Sequence, residues 1–188
     1  MIRKGSAFVP DKNWKLACSS VQVEWTFDDS IWVLRLRQPS SQLLEAVADV
    51  MGQPLPQQPN SVAEGNPYIA WLSPSEWMIG GEGFDVRALS DALNGATAHL
   101  ADVGAGRVQF HVTGEYARAL LAKGTSLDLH PRRFGPGQCA QTLFAQTLAF
   151  IKPSGTPTGG FNIVADISYA THLQLWFSDA SIEFSQKG

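Results

Sequence analysis

The chain has 188 residues, of which 44% are hydrophobic and 16% charged, with 14 Lys and Arg against 17 Asp and Glu. This length predicts one domain or two small fused ones, with enough chain for a core that needs no disulfide or metal. The formal net charge of −3 argues against binding nucleic acid or a membrane through charge alone. Six Trp and ten Phe are many for so short a chain. We therefore expect large aromatic side chains at the surface that meets a partner protein.

Targeting and redox signals are weak in this sequence. No apolar run reaches about 18 residues, so no transmembrane helix is expected. The segment 1–8 carries two basic residues and no acidic one, but no apolar segment follows it, which argues against a signal peptide. Cys18 and Cys139 are far apart and form no paired motif, so reduced thiols in the cytoplasm are the prediction.

The first half of the chain predicts a strand, a helix, a proline-rich loop, a hairpin, a second helix and a closing strand. Alternation of Trp32, Leu34 and Leu36 indicates the first strand. A serine cap and Gly52 bound the first helix, and Asp85 can cap the second. These elements cover residues 31–37, 41–51, 53–60, 68–79, 86–93 and about 97–103.

The second half predicts a similar series of elements, again read from alternation, caps and glycine stops. The strands lie at residues 107–112, 139–145, 147–151 and 161–167; the helices lie at 115–123 and from 168 onward. Each half therefore has the order β-α-β-β-α with one extra strand, which indicates an α+β fold of two ferredoxin-like halves with antiparallel sheets. We expect residues 1–30 to be an N-terminal extension or edge strand. Residues 31–103 and 104–188 would be the halves of one compact unit.

Catalytic and metal-binding motifs are not evident. The sequence has no GxSxG elbow, and its glycine clusters lack the strand-to-helix context of a nucleotide loop. The four histidines lie on separate predicted elements with no second ligand at metal spacing. We assign no catalytic, cofactor-binding or metal-ligating residue, and we expect this chain to bind no cofactor.

Two charged pairs have ordinary structural interpretations. Asp28 and Asp29 fall where a hairpin turn is expected, and turn acids of this kind are solvated. Asp102 ends one predicted strand and Arg107 begins the next. We expect these two side chains to form a structural ion pair across the turn.

Two segments favour recognition of a partner. A tight hairpin separates two Trp residues, so Trp77 would anchor an interface if it is exposed and would otherwise belong to the core. Arginines and an aromatic in the proline- and glycine-rich loop 130–137 suit a carboxylate, a phosphate or an acidic surface, although a solvated loop is the alternative. The residues expected at an interface are Trp14, Trp25, Trp77, Arg107, Arg132, Arg133 and Phe134.

Residues 71–79, with the sequence WLSPSEWMI, resemble the signature of the gamma subunit of heterotetrameric sarcosine oxidase. Further segments are similar to that family in the same order and spacing, from about residue 30 to residue 184. These segments are residues 102–107, 114–124, 127–129 and 134–142.

The resemblance implies a fold like the folate-binding domain of aminomethyltransferases. It also implies alpha, beta and delta subunits as partners, with FAD, FMN and NAD mainly on alpha and beta and zinc on delta. The assembly would convert sarcosine to glycine with tetrahydrofolate as one-carbon acceptor, and this chain would be a non-catalytic subunit. Residues 148–152 lack the acidic pair that aminomethyltransferases place there, which argues against transfer by this chain itself. The alternative is a stand-alone module that binds a folate-like small ligand.

Overall fold

A computed structural model describes residues 14–18, 20–27, 30–154 and 159–185. The strands are β1 Leu16–Ala17, β2 Gln22–Phe27, β3 Ile31–Leu36, β4 Val62–Ala63, β5 Tyr68–Ser73, β6 Glu76–Gly80, β7 Ala98–Asp102, β8 Arg107–Thr113, β9 Ala140–Phe144, β10 Thr147–Pro153 and β11 Gly160–Asp166. The helices are α1 Ser41–Met51, α2 Val86–Ala92, α3 Ala117–Ala122, α4 Ala170–Ala180 and α5 Ile182–Ser185, with single 3-10 turns at Gly104–Gly106 and Ile167–Tyr169. Within these ranges no helix has the length and apolarity needed to cross a membrane.

The first half forms a five-stranded sheet in the order β4-β5-β6-β3-β7, with every pair antiparallel. One residue in two along β3 and β6 turns toward the helices, where Leu34, Trp77 and Ile79 are completely or almost completely buried. Val47 and Leu89 bring the apolar faces of α1 and α2 onto this layer. The alternation in the sequence therefore specifies which sheet face the helices cover.

The second half forms a six-stranded antiparallel sheet in the order β1-β2-β8-β11-β10-β9. Its helix-facing side is rich in aromatic residues: Phe110, Phe144 and Phe177 make successive ring contacts of 5.2 and 5.6 Å between centroids. Residues 22–27, part of the segment expected to be an N-terminal extension or edge strand, pair along their whole length with β8 inside this sheet. The segment thus belongs to the larger core.

The two halves share one arrangement of elements. In spatial order, β4-β5-β6-β3-β7 matches β9-β10-β11-β8-β2, while α1 and α2 match α3 and α4. The difference is that β7 follows its second helix, whereas its counterpart β2 comes from the N-terminal part of the chain. The predicted α+β fold with ferredoxin-like halves is confirmed, and the second half is a permuted version of the first.

Local signals at helix ends are only partly as predicted. Ser40 accepts the Leu43 amide at 3.2 Å and Gly52 ends α1 with φ of 69°, as expected. The last helix, expected from residue 168 onward, begins at Ala170 after a 3-10 turn. The strand ends at Asp166, whose carboxylate accepts the Ser168 amide at 2.9 Å.

The two sheets meet through a small apolar layer, and no helix lies between them. Buried side chains from both halves form this layer: Ile31, Val62, Ala70, Met78, Cys139, Phe150 and Val164. A hairpin turn was expected at Asp28 and Asp29; the strands on either side, β2 and β3, belong to different sheets. Those two aspartates lie outside the described residues.

The turn between β9 and β10 uses two residues that rarely adopt its backbone conformation. Ala145 and Gln146 have φ of 47° and 67°, so both lie in the left-handed region without a glycine. Two contacts hold the turn: the Ala145 amide donates to the Gly124 carbonyl, and the Ala145 carbonyl faces His172 Nε2, both at 2.8 Å. Tertiary structure therefore imposes this turn on the sequence.

We expect Gln146→Gly to stabilise the protein by about 1 kcal/mol, because glycine adopts left-handed φ without a steric cost. Gln146 is exposed, so no packed side chain is lost. The free energy of unfolding in urea measures the effect. The matched control is Glu45→Gly, at an exposed interior position of α1. This control should destabilise by about 1 kcal/mol; equal signs for the two substitutions would contradict the prediction.

Candidate functional site

Several polar contacts join the two halves at their junction. Lys152 on β10 is 4% exposed, and its Nζ donates to Glu64 Oε2 at 2.7 Å across the boundary between the sheets. The ammonium also lies 4.8 Å from the centre of the Tyr68 ring. Nearby, the Gln141 side-chain amide donates to the Leu72 carbonyl at 2.9 Å. These contacts fix the position of one sheet against the other.

The arginine loop, residues 130–137, is attached to both halves. The Val62 amide donates to the Gly137 carbonyl, and the Cys139 amide to the Asn60 carbonyl, both at 2.8 Å. Phe134 anchors the loop by stacking on Phe161, with ring planes within 4° and centroids 6.3 Å apart. The loop is thus a fixed platform.

The platform carries two exposed arginines. Arg132 and Arg133 are both exposed, and neither forms an ion pair with another described residue. Their guanidinium groups keep five donors each available for a carboxylate or phosphate. This arrangement fits the interpretation of the loop as a recognition element.

A narrow groove opens between the sheets at the other end of the junction. Its volume is about 190 Å³, and Arg107, Glu76 and Gln141 are its polar lining. Arg107 is half-exposed, with Nη1 3.9 Å from Asp166 Oδ2. The expected Asp102–Arg107 pair is therefore wrong: Asp102 instead accepts the Gly104 amide at 3.0 Å.

A second cleft lies where the arginine loop meets residues 58–61. It has a volume of about 330 Å³, and Arg133 is its charged lining residue. Ligand sites usually have about 300–1,000 Å³, so this cleft reaches the lower end of that range and the inter-sheet groove does not. A larger cavity, of about 620 Å³, lies away from the junction at the start of α1 and carries Arg37 as its one charged side chain.

Three of the aromatic residues expected at an interface are buried in this chain, and for Trp77 the core alternative therefore applies. Trp77 is 1% exposed and donates from Nε1 to the Pro56 carbonyl at 2.8 Å. Trp25 stacks on Phe110 at 6.2 Å, and Phe134 is 4% exposed in the larger core. Two ferredoxin-like halves contain two helix-facing cores, which accommodate more aromatic residues than the composition suggests. Trp14 is half-buried.

Cys139 occupies the junction as an unreactive thiol. It is 3% exposed, and burial raises the pKa of its thiol to about 12, with Lys152 opposing part of that rise. Its Sγ lies 3.6 Å from the Trp71 carbonyl oxygen. A group held protonated in this way is not a nucleophile near neutral pH.

We expect a thiol reagent such as Ellman's reagent at pH 8 to modify Cys18 well before Cys139, because Cys18 is only half-buried. Peptide mapping by mass spectrometry identifies the labelled site, and in urea both thiols should react. Equal labelling rates in the folded protein would contradict the burial of Cys139.

In the described ranges, no three His, Cys, Asp or Glu side chains come close enough together to hold an ion. His111 Nδ1 faces Asn162 Oδ1 at 2.9 Å, and His172 is tied to the β9–β10 turn. Both contacts are structural.

Sequence reasoning missed the Lys152–Glu64 pair. These residues are 88 positions apart, and nothing local to either one signals the other. The one indication in the sequence is a lysine inside an otherwise apolar strand. Such a lysine predicts an acidic partner, because an unpaired buried ammonium is costly.

Comparison with known proteins shows which family this chain resembles. Residues 38–183 match the model of the sarcosine oxidase, gamma subunit family. The chain is 32% identical to the sarcosine oxidase subunit gamma of Corynebacterium sp. (strain P-1), covering 79% of this chain and 74% of that protein. It is 31% identical to the subunit gamma of an Arthrobacter species, covering 78% and 73%.

A solved structure has the same fold. A chain of the heterotetrameric sarcosine oxidase from Corynebacterium sp. U-96, determined in complex with pyrrole 2-carboxylate, superposes with a TM-score of 0.82 at 26% identity. The match covers 93% of this chain and 90% of that chain. The family match and the shared fold extend over both halves, and the chain belongs to the sarcosine oxidase gamma subunit family.

Proposed function

We propose that this protein is the gamma subunit of a heterotetrameric sarcosine oxidase in the cytoplasm, with alpha, beta and delta subunits as its partners. The observation that carries the proposal is the match over nearly the whole chain to a chain of such an assembly. The assembly would oxidise sarcosine to glycine, with tetrahydrofolate as the one-carbon acceptor. FAD, FMN and NAD would be held mainly by alpha and beta, and zinc by delta.

The role of the gamma chain in this proposal is structural support. The described residues bring together no nucleophile with a base, and the most deeply buried ionisable groups are used in joining the halves. Arg132 and Arg133 on the arginine loop, with Arg107 and Trp14, are proposed to meet the other subunits. The exposed arginines suit acidic patches on those chains.

Co-purification tests the proposal directly. An affinity tag on this chain, expressed from its native locus, should recover large flavin-binding subunits in constant ratio. The flavin absorbance of the purified material and its mass by light scattering measure the result. Recovery of the tagged chain alone would contradict the proposal.

A stand-alone module that binds a folate-like ligand is the second candidate. The observation in its favour is the 330 Å³ cleft between the halves, which carries Arg133 beside Phe134. Titration with tetrahydrofolate, followed by tryptophan fluorescence, tests it, with Arg133→Ala as the matched variant. Saturable binding that Arg133→Ala abolishes would support this candidate, and no response at near-millimolar ligand would exclude it.

A further inference from the structure

The β9–β10 hairpin forms an open edge of the larger sheet. β9 is the last strand in the sheet order, and its one pairing partner among the described strands is β10. A two-residue turn makes Phe144 and Thr147 the hydrogen-bonded closing pair, so Leu143 and Gln141 fall in the alternate pairs. The main-chain N–H and C=O groups of these two residues therefore point outward from the sheet.

The same hairpin exposes an apolar pair. Leu143 and Leu148 lie directly opposite each other and are 63% and 66% exposed. Among the described residues, the other large exposed apolar side chains lie on helical segments, at Tyr169, Leu175 and Ile182. A pair of leucines beside unpaired main-chain groups is a surface suited to another strand.

None of the usual edge protections is present on the edge strand β9 or on the turn that follows it. Residues 139–151 include no charged side chain and no proline, and the pairing of β9 with β10 contains no bulge. Natural edge strands are usually blocked by such features or covered by another segment. The lack of charge also defines the occupant, because a charged strand would lose its solvation against these leucines.

The hairpin is held in one conformation before any partner arrives. Its left-handed turn at Ala145 and Gln146 is tied to Gly124 and to His172. A fixed edge loses little conformational entropy on binding, which favours main-chain recognition.

We propose that an extended, uncharged and apolar segment of another subunit of the oxidase pairs with the β9 edge and covers Leu143 and Leu148. This inference rests on the proposed function. A second copy of this chain fits less well. A five-residue strand is about 17 Å long, which is too short to supply the roughly 800 Å² per partner of a stable dimer. The pairing therefore belongs to a wider contact with a larger chain.

The test uses the full chain co-expressed with the subunits encoded beside it. Leu143→Pro removes one outward-pointing N–H, and Leu143→Lys places a charge in the apolar pair. Leu175→Lys on α4, where the leucine is 62% exposed, is the matched control. Affinity for the partner subunits is measured by titration. Hydrogen exchange at Gln141 and Leu143 is followed in the free and assembled chain.

We expect both Leu143 variants to weaken assembly by about tenfold or more, because Leu143→Pro loses one main-chain hydrogen bond and Leu143→Lys brings a charge into an apolar contact. Leu175→Lys should leave assembly unchanged. Both amides should exchange more slowly in the complex. If Leu143→Pro does not fold, Leu143→Lys alone is compared with Leu175→Lys. Unchanged assembly of a folded Leu143 variant would overturn this inference and leave the proposed function intact. Self-association of the isolated chain through this edge would have the same consequence. Failure of the wild-type chain to assemble would overturn the proposed function as well.

Discussion

Trp77→Ala is expected to lower the free energy of unfolding by about 3–5 kcal/mol, the range for deleting a buried large aromatic side chain. The indole is 1% exposed, and it packs between β6 and the helices of the first half. Its N–H also satisfies the Pro56 carbonyl at 2.8 Å, which fixes the proline-rich loop against the sheet. The substitution therefore leaves both a cavity and an unpaired, partly buried carbonyl.

The matched control for this prediction is Trp71→Ala. Trp71 is directly opposite Trp77 in the same hairpin but is only half-buried. Urea unfolding should give a clearly smaller loss for Trp71→Ala. Trp77→Phe supplies a measurable intermediate if Trp77→Ala does not fold. Equal losses at the two positions would contradict the burial of Trp77.

This contrast shows what residue type alone can and cannot predict. Two tryptophans six positions apart, one on each side of a turn, look alike in the sequence. Their burial differs because of where α1 and the proline-rich loop lie. Burial of a given aromatic depends on distant elements that cover it. The expectation of exposed aromatics therefore failed at Trp77, Trp25 and Phe134.

Local structure was largely predictable because its causes are local. The cap at Ser40, the stop at Gly52 and the cap at Asp85 all form as the sequence indicates, since each depends on side chains within a few positions. The alternation along β3 likewise predicts its buried face.

Assembly of the elements was less predictable. Residues 22–27 alternate Val23, Trp25 and Phe27 with polar residues, a strand signal that was present in the sequence. What the sequence does not show is that this strand pairs with β8, about 85 residues away, in place of the neighbouring β3. The permuted second half follows from that one long-range pairing.

Of the candidate site, only the arginine loop could be predicted from the sequence. Arg132 and Arg133 protrude as expected, because a proline- and glycine-rich segment rarely buries its charges. The open β9 edge and the ion pair at the junction depend on sheet order and on the contact between halves. Neither feature can be predicted until the pairing of the strands is known.

The second large effect is expected at that ion pair. Glu64→Gln should lower the free energy of unfolding by about 2–3 kcal/mol, because it leaves the buried Lys152 ammonium without its carboxylate. The loss falls below the 3–5 kcal/mol of a fully buried pair, since the Glu64 side chain is 39% exposed. Urea unfolding at pH 7 measures it.

Lys152→Met, in contrast, should cost only about 1 kcal/mol, because an apolar side chain of similar volume replaces the ion in an apolar layer. The remaining Glu64 carboxylate can turn to solvent, while the contact of the ammonium with the Tyr68 ring is lost. The double variant should then resemble Lys152→Met, because the Glu64 substitution has no buried charge left to expose. Additive losses in this cycle would mean that the two residues do not interact. The predicted asymmetry follows from burial alone: the ammonium lies inside the junction of the two halves and the carboxylate lies at its rim.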